Sequence, residues 1–201
     1  MKVQEPERRQ YRQGARAQAA AENTRRIVVA AEELFAERLY DQVSLADVAQ
    51  RAGVGVQTLI RRFPTKEALV AGIRQVVGDR ITAERAEAPV GDVAGAVANL
   101  VEHYEAEGDK VLRILAQEER VEAFAAVTTF GRRMHRDWTG RVFAPQLEGL
   151  SRPDRELRLA QLVAICDVYT WKLLRRDQGL SRAKTERALI EMINGLVGGH
   201  R

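Results

Sequence analysis

The stretch SLADVAQRAGVGVQTLIRRFPTKEAL, residues 44–69, decides the fold. Leu45, Val48, Ala49 and Ala52 recur at helical spacing. Ser44, with Asp47 three residues on, reads as an N-cap in a capping box. Gly53 stops that helix, because glycine takes the left-handed backbone of a helix C-terminus without steric cost. A third short helix then places Leu59 and Phe63 four residues apart, and Pro64 ends it. Thr65 caps a further helix, with Glu67 near its positive end. Two short helices joined through a glycine turn, behind a supporting helix, form a helix-turn-helix.

The supporting helix lies upstream. Ile27, Ala30, Ala31, Leu34 and Phe35 make its apolar stripe, with Asn23 or Thr24 as the expected cap. The Ala-rich run at residues 15–21 can extend it backward. Residues 1–22 are expected to be a flexible basic arm, with Lys2, Arg8, Arg9, Arg12 and Arg16 facing only Glu5, Glu7 and Glu22. Such an arm either tracks phosphates and the minor groove or keeps the chain soluble.

Downstream, helical spacing continues throughout. Leu69, Val70, Ile73, Val76, Val77 and Ile81 form one stripe. Asp92 caps a helix bearing Val93, Val97, Leu100, Val101 and Tyr104, with a break expected at residues 108–109. Phe130, Met134, Trp138 and Val142 form another stripe, ended near Pro145. Ser151 with Asp154 opens a long helix expected over residues 152–178, apolar on several faces. A last helix follows over residues 182–197. No period-2 run is long enough for a strand, so the fold class is all-α with about nine helices. The expected domains are a helix-turn-helix domain at residues 23–71 and a second helical domain at residues 72–201.

Composition narrows the function. The 201 residues are 45% apolar and 30% charged, enough for a core and too mixed in sign for a disordered chain. The net charge of +4 is modestly biased to the N-terminal end, which suits an anionic partner. The single cysteine, Cys166, excludes an intrachain disulfide and a cysteine metal cluster, and it reads as a small buried residue. No two histidines have metal-ligand spacing, and no Gly-rich phosphate loop, nucleophile motif or catalytic carboxylate pair occurs. The sequence therefore predicts no enzyme, no cofactor and no metal. The charged start has no apolar core and no run is long enough to span a bilayer, so no secretory signal or membrane contact is expected, and the cytoplasm is the expected location.

The helix-turn-helix has the chemistry to read DNA. Gly55, Val56, Gln57, Arg61 and Arg62 are free to face outward while Leu59 and Phe63 anchor the helix. Gln57 can pair with adenine and Val56 can touch a thymine methyl. Arg61, Arg62 and Lys66 supply cations for phosphates, Lys66 beside the N-terminus of the next helix.

Residues 25–70 resemble the DNA-binding domain of the TetR family of transcriptional regulators. The resemblance rests on Ala30-Ala31-Glu32-Glu33-Leu34-Phe35, Tyr40, Ser44, Val48-Ala49, Ala52-Gly53-Val54, Thr58-Leu59 and Phe63-Pro64-Thr65-Lys66-Glu67-Ala68-Leu69. Leu39, Gly55 and Ile60 stand where the family usually has Gly, Ser and Tyr. The resemblance implies a DNA-binding set of Arg25, Ser44, Gly55, Val56, Gln57, Thr58, Arg61, Arg62 and Lys66. It also implies an effector-binding and dimerising domain beyond residue 71, whose last two helices, 152–178 and 182–197, pair across a dimer axis. Two recognition helices would then lie roughly 34–36 Å apart and read a palindrome.

Tyr104, Phe130, Met134, His135, Trp138, Phe143, Asp167 and Trp171 are the candidate effector-pocket residues. Each has an alternative role: the aromatics and Met134 as core, His135 as a surface or satisfied histidine, Asp167 as half of an ion pair with Arg133, Arg136 or another arginine. Arg132, Arg133, Arg175 and Arg176 read as exposed faces. The expected function is a transcriptional regulator, a repressor released from a palindromic operator on double-stranded DNA by a small apolar effector. The second reading is a helical ligand-binding or scaffold protein whose helix-turn-helix is degenerate at Gly55 and Ile60.

Overall fold

The computed structural model describes residues 5–198, and side chains continuously from Ala17 onward. Those residues form nine α-helices and, among themselves, no strand. In order they are α1 (Glu5–Glu37), α2 (Leu45–Ala52), α3 (Val56–Arg62), α4 (Lys66–Ala86), α5 (Val93–Leu115), α6 (Glu122–Val142), α7 (Arg152–Ile165), α8 (Val168–Lys172) and α9 (Arg182–Gly198). Short 3-10 turns at Tyr40–Gln42 and Pro145–Leu147 and a π turn at Leu173–Asp177 complete the set. The chain divides into two compact units, Met1–Val76 and Val77–Arg201.

In the first unit the stripe of α1 is buried as its spacing requires: Ile27, Ala30, Ala31, Leu34 and Phe35 are all at most 5% exposed. Val48, Ala49 and Ala52 of α2 and Leu59 of α3 close onto the same core. The small alanines let α1 and α2 approach. Helix α1 begins at Glu5, so residues 5–22 of the expected arm are helical. The Ala-rich run continues the helix, so neither Asn23 nor Thr24 caps it, and Thr24 Oγ1 instead donates to Ala20 O at 2.9 Å. Lys2, and the side chains of Arg8, Arg9, Arg12 and Arg16, lie outside the described residues.

The second unit is a bundle around Val97, Leu100 and Val101 of α5, Trp138 and Val142 of α6, Leu162 of α7, Trp171 of α8, and Leu189 and Ile193 of α9. Two expectations are corrected there. Helix α5 passes through Gly108 without a break. Gly108 is buried, and a Cβ there would sit 2.5 Å from the Trp171 ring, so its small size serves a close helix approach. The long helix over residues 152–178 is interrupted. Helix α7 stops at Ile165, and Asp167 caps α8, accepting from Tyr169 N at 2.9 Å.

The interruption frees backbone carbonyls, and side chains take them up. Tyr104 Oη donates to Cys166 O at 3.0 Å, and Thr170 Oγ1 donates to Ala164 O at 2.7 Å. His135 Nε2 lies 3.2 Å from Val163 O, which requires the proton on that nitrogen. The Cys166 carbonyl is thus satisfied in a buried setting, where an unmet one costs about 1–3 kcal/mol.

Candidate functional site

Helix α2 ends at Gly53, whose φ of 62° is the left-handed turn its position demands. Arg26 of α1 donates through Nη2 to the carbonyls of Ala52 and Gly53, the latter at 3.0 Å. A basic side chain thus caps the negative end of α2. Helix α3 then starts at Gly55, which offers no side-chain cap. Leu59 is its single buried residue, and Phe63 closes its end. Everything else on α3, namely Val56, Gln57, Thr58, Ile60, Arg61 and Arg62, is exposed. The helix is short, held by one leucine, and presents a mixed polar, apolar and basic face. An open groove of about 420 Å³ lies between α1 and α3, lined by residues that include Asn23, Thr24, Thr58, Arg61 and Arg62.

The remaining candidates for DNA contact are placed differently. Ser44 caps α2, with Asp47 N donating to its Oγ at 3.1 Å and Ser44 N donating to Asp47 Oδ2 at 2.9 Å. Hydrogen bonding from Ser44 holds the Asp47 carboxyl below its ordinary range. Arg25 pairs with Glu22 on the exposed face of α1. Lys66 donates to Tyr40 O at 3.0 Å and lies 4.1 Å from the Tyr40 ring centre. Tyr40 Oη in turn donates to Glu67 Oε1 at 2.7 Å, and its ring stacks on Phe35 at 5.6 Å. Lys66 therefore fastens the turn after α1, a role the sequence does not reveal. Leu39 opens that turn with an extended backbone, φ −65°, and its N–H donates to Gln42 Oε1. No left-handed residue is needed there, so leucine is tolerated.

In the second unit, part of the expected pocket set comes together. Trp138 and Tyr104 are buried, and His135 stacks on Trp138 at 6.2 Å. Phe143 meets Trp138 edge-on at 6.1 Å, and Trp171 lies 5.8 Å from Tyr104. Phe130 and Met134 stand apart from these: Phe130 is 37% exposed beside Gly78, and Met134 accepts from Thr82. Asp167 spends its carboxylate on the α8 cap, and Arg133 pairs instead with Asp137 on its own helix.

Two arginines expected on open faces are engaged. Arg175 grips Glu105 through Nε at 2.8 Å and Nη2 at 3.2 Å, while Trp171 Nε1 donates to the same carboxylate at 3.1 Å. Arg176 pairs with Asp109 and lies 4.5 Å over the Trp171 ring. These bonds carry α5 across the residues where the sequence suggests a break.

Sequence reasoning misses Arg85. Arg85 is 3% exposed on α4, with its guanidinium 3.9 Å from the centre of the Trp138 ring. Its own carbonyl accepts from Trp138 Nε1 and Arg141 Nη2, both at 3.0 Å. Burial pushes the Arg85 pKa down from its ordinary value. Burial, and then the Arg85 charge, push His103 down to about 4. The available signal is the stripe Ile81, Arg85, Ala88, in which an arginine occupies the inward position.

Among the described residues, no helix is long and apolar enough to cross a membrane. Nor do three or more His, Cys, Asp or Glu gather as metal ligands among them.

Residues 27–73 match the sequence profile of the bacterial regulatory proteins, tetR family. No curated protein matches the chain. Solved structures match over most of its length. A transcriptional regulator from Rhodococcus sp. Rha1 is 22% identical, with a TM-score of 0.68 over 88% of this chain and 96% of that one. A TetR-like transcriptional regulator from Rhodococcus sp. RHA1 is 17% identical, with a TM-score of 0.65 over 88% and 96%. A transcriptional regulator of the TerR/AcrR family from Aquifex aeolicus VF5 is 18% identical, with a TM-score of 0.58 over 84% and 96%. At such identities the likeness speaks for the fold. Residues 27–73 thus match the tetR-family profile over the helix-turn-helix, in a chain that shares the all-helical fold of these solved structures.

Proposed function

We propose that the protein is a transcriptional repressor that reads a palindromic operator as a homodimer and is released by a small molecule held in its second unit. The observation that carries the reading is α3 itself. One leucine anchors it, and Val56, Gln57, Thr58, Arg61 and Arg62 face solvent together within the matched domain. Gln57 and Val56 are suited to base edges, and the arginines to phosphates. Arg61 and Arg62 also line the groove beside α1, so a phosphate seated there meets both.

Dimerisation is supported by exposed apolar side chains on the last helices. Leu157 of α7, Tyr169 of α8, Leu173 of the π turn and Met192 of α9 are each at least 43% exposed. Large apolar groups of this kind are costly to leave in water and suit a helix–helix interface. Effector control is supported by the aromatic and polar cluster around Trp138. Release requires an effector that binds better to the conformation unable to engage DNA. Helix α4 belongs to both units by sequence and is the natural coupling element.

Selection from random duplex DNA at moderate salt tests the reading. A two-fold symmetric enriched site is the expected result. Arg61→Ala should weaken binding to all sequences and reduce the salt slope by about one, whereas Gln57→Ala should change the preferred base at one position per half-site. A folded dimer that enriches no site, before and after refolding to strip bound ligand, would favour the second reading, in which Gly55 and Ile60 mark a lost DNA function.

A further inference from the structure

We infer that the second unit binds a small organic carboxylate whose charge is taken by Arg85 and whose apolar body lies against Trp138 and Tyr104. The inference rests on the reading of this unit as effector-binding and names the class of effector, an acid rather than a neutral apolar molecule.

Arg85 carries a charge without a counter-ion. Arg85 is 3% exposed, and no carboxylate pairs with it among the described residues. Its Nε is buried and has no hydrogen-bond partner. A buried guanidinium is normally matched by an anion, because the aromatic faces around it offset only part of its lost hydration. The paired arginines of the unit are more open: Arg175 has Glu105, and Arg80, whose side chain is 44% exposed, has Glu107 at 2.9 Å. Arg85 is closed off and lacks such a partner.

Its surroundings suit a ligand. Trp138 at 3.9 Å supplies a flat apolar wall, and Tyr104, whose ring centre is 6.0 Å from the guanidinium carbon, adds a ring and a hydroxyl that accepts a hydrogen bond from Arg85. His103 is the neighbour of Tyr104 on α5, and its buried Nδ1 is likewise unpartnered. Two unmet polar groups therefore come from adjacent helices into one aromatic cluster. Of the negative groups nearby, Glu107 holds Arg80 and Lys110, while Asp167 caps α8 through one backbone N–H and keeps a charge felt at Tyr104 and His135. The thiol of Cys166 is pushed up to about 12 by burial and stays neutral. The backbone function of Arg85, accepting from Trp138 and Arg141 through its carbonyl, needs no guanidinium. A methionine would fill the same space.

The test uses the full chain, with calorimetric titration and thermal unfolding against matched pairs. Benzoate, phenylacetate and octanoate are each compared with their amides, and chloride and phosphate serve as inorganic anions. At least one carboxylate is expected to bind about tenfold or more tightly than its amide and to raise Tm accordingly. Arg85→Met should bring each pair to within about twofold, the scale at which a charge-assisted bond no longer contributes. The unliganded variant should melt higher than the parent, as expected when an unpaired buried charge is removed. Should Arg85→Met fail to fold, the parent protein's acid–amide comparison, together with Arg85→Lys retaining the preference, still decides.

No acid preferred over its amide overturns the inference, as does a preference that survives in Arg85→Met. Equal protection by phosphate or chloride replaces the organic acid with an inorganic anion. A lower Tm for Arg85→Met without any acid preference makes Arg85 a packing residue. None of these readings requires DNA. Failure to find an operator would therefore sink the regulator reading and leave the carboxylate comparison standing.

Discussion

The guanidinium of Arg26 shows how much one side chain settles in the first unit. It closes the carbonyl end of α2 at Ala52 and Gly53, and it leaves no room beside Gly53. A Cβ at Gly53 would lie 2.6 Å from Arg26 Nη2, on a backbone with φ +62°. Gly53→Ala is therefore expected to lose about 1–2 kcal/mol from the left-handed strain alone, seen as a lower denaturant midpoint. The glycine is legible in the sequence as a helix stop. Arg26 is not, because its partner lies 26 residues away and only the packed α1–α2 pair brings them together. Arg85 is hidden for a related reason. Its charge suggests solvent, although its place in the stripe with Ile81 and Ala88 points inward. Cys166 is the small buried residue that its type suggests. Its raised pKa and full burial predict that the folded protein resists alkylation at neutral pH and reacts only when unfolded.

At the scale of elements, the helices with strong stripes are legible: α1, α2, α3, α4 and the stretch capped by Asp92, although the start of α1 lies well before the cap that Asn23 or Thr24 suggests. The errors fall where tertiary bonds override local signals. Gly108 breaks isolated helices, yet the Trp171 ring and the Arg175–Glu105 and Arg176–Asp109 pairs carry α5 through it. The stretch after Leu162 has an unbroken helical pattern, yet Asp167 draws its own cap there. Tyr104, Thr170 and His135 take up the carbonyls that the interruption frees. Tyr104→Phe should therefore destabilise the second unit by about 1–3 kcal/mol, since the Cys166 carbonyl stays buried without its donor. If the variant unfolds at the parental denaturant concentration, that carbonyl has another partner. Lys66 belongs here too. Lys66→Ala should weaken the turn at Tyr40 as well as any DNA binding, so its affinity loss must be read beside its stability. The outward set on α3 is legible because amphipathic spacing leaves Leu59 as its anchor. The roles of Ser44 and Lys66 are not, since a cap and a turn fastener look the same in sequence as phosphate ligands.

For the whole molecule, histidine burial sets an acid limit on stability. His103 has its pKa lowered from 6.5 to about 4, and His135 is lowered by burial in the same direction. The unfolded chain binds these protons below about pH 6.5 while the folded chain does not, so the unfolded state takes up more protons there. Stability is thus intact above about pH 6.5 and declines as pH falls towards about 4. Chemical denaturation at neutral pH and near the folded pKa of His103 should show a lower midpoint at the acid value, and His103→Gln should shrink the difference. An unchanged midpoint would mean that His103 titrates normally. Association is the other property of the whole chain. Leu173→Asp, on the exposed π turn, is expected to convert a dimer to monomers in sedimentation velocity without loss of helical circular dichroism.

Both tryptophans of the chain, Trp138 and Trp171, lie in the second unit, each beneath a guanidinium. The first unit is therefore dark to tryptophan fluorescence. Emission reports the second unit alone, while circular dichroism sums over both, so a gap between the two melting curves is a direct spectroscopic measure of whether the halves unfold together. Phe substitution of Trp171 would leave Trp138 as a single lamp beside Arg85, whose colour and brightness would follow the charge state of its neighbourhood without any added label.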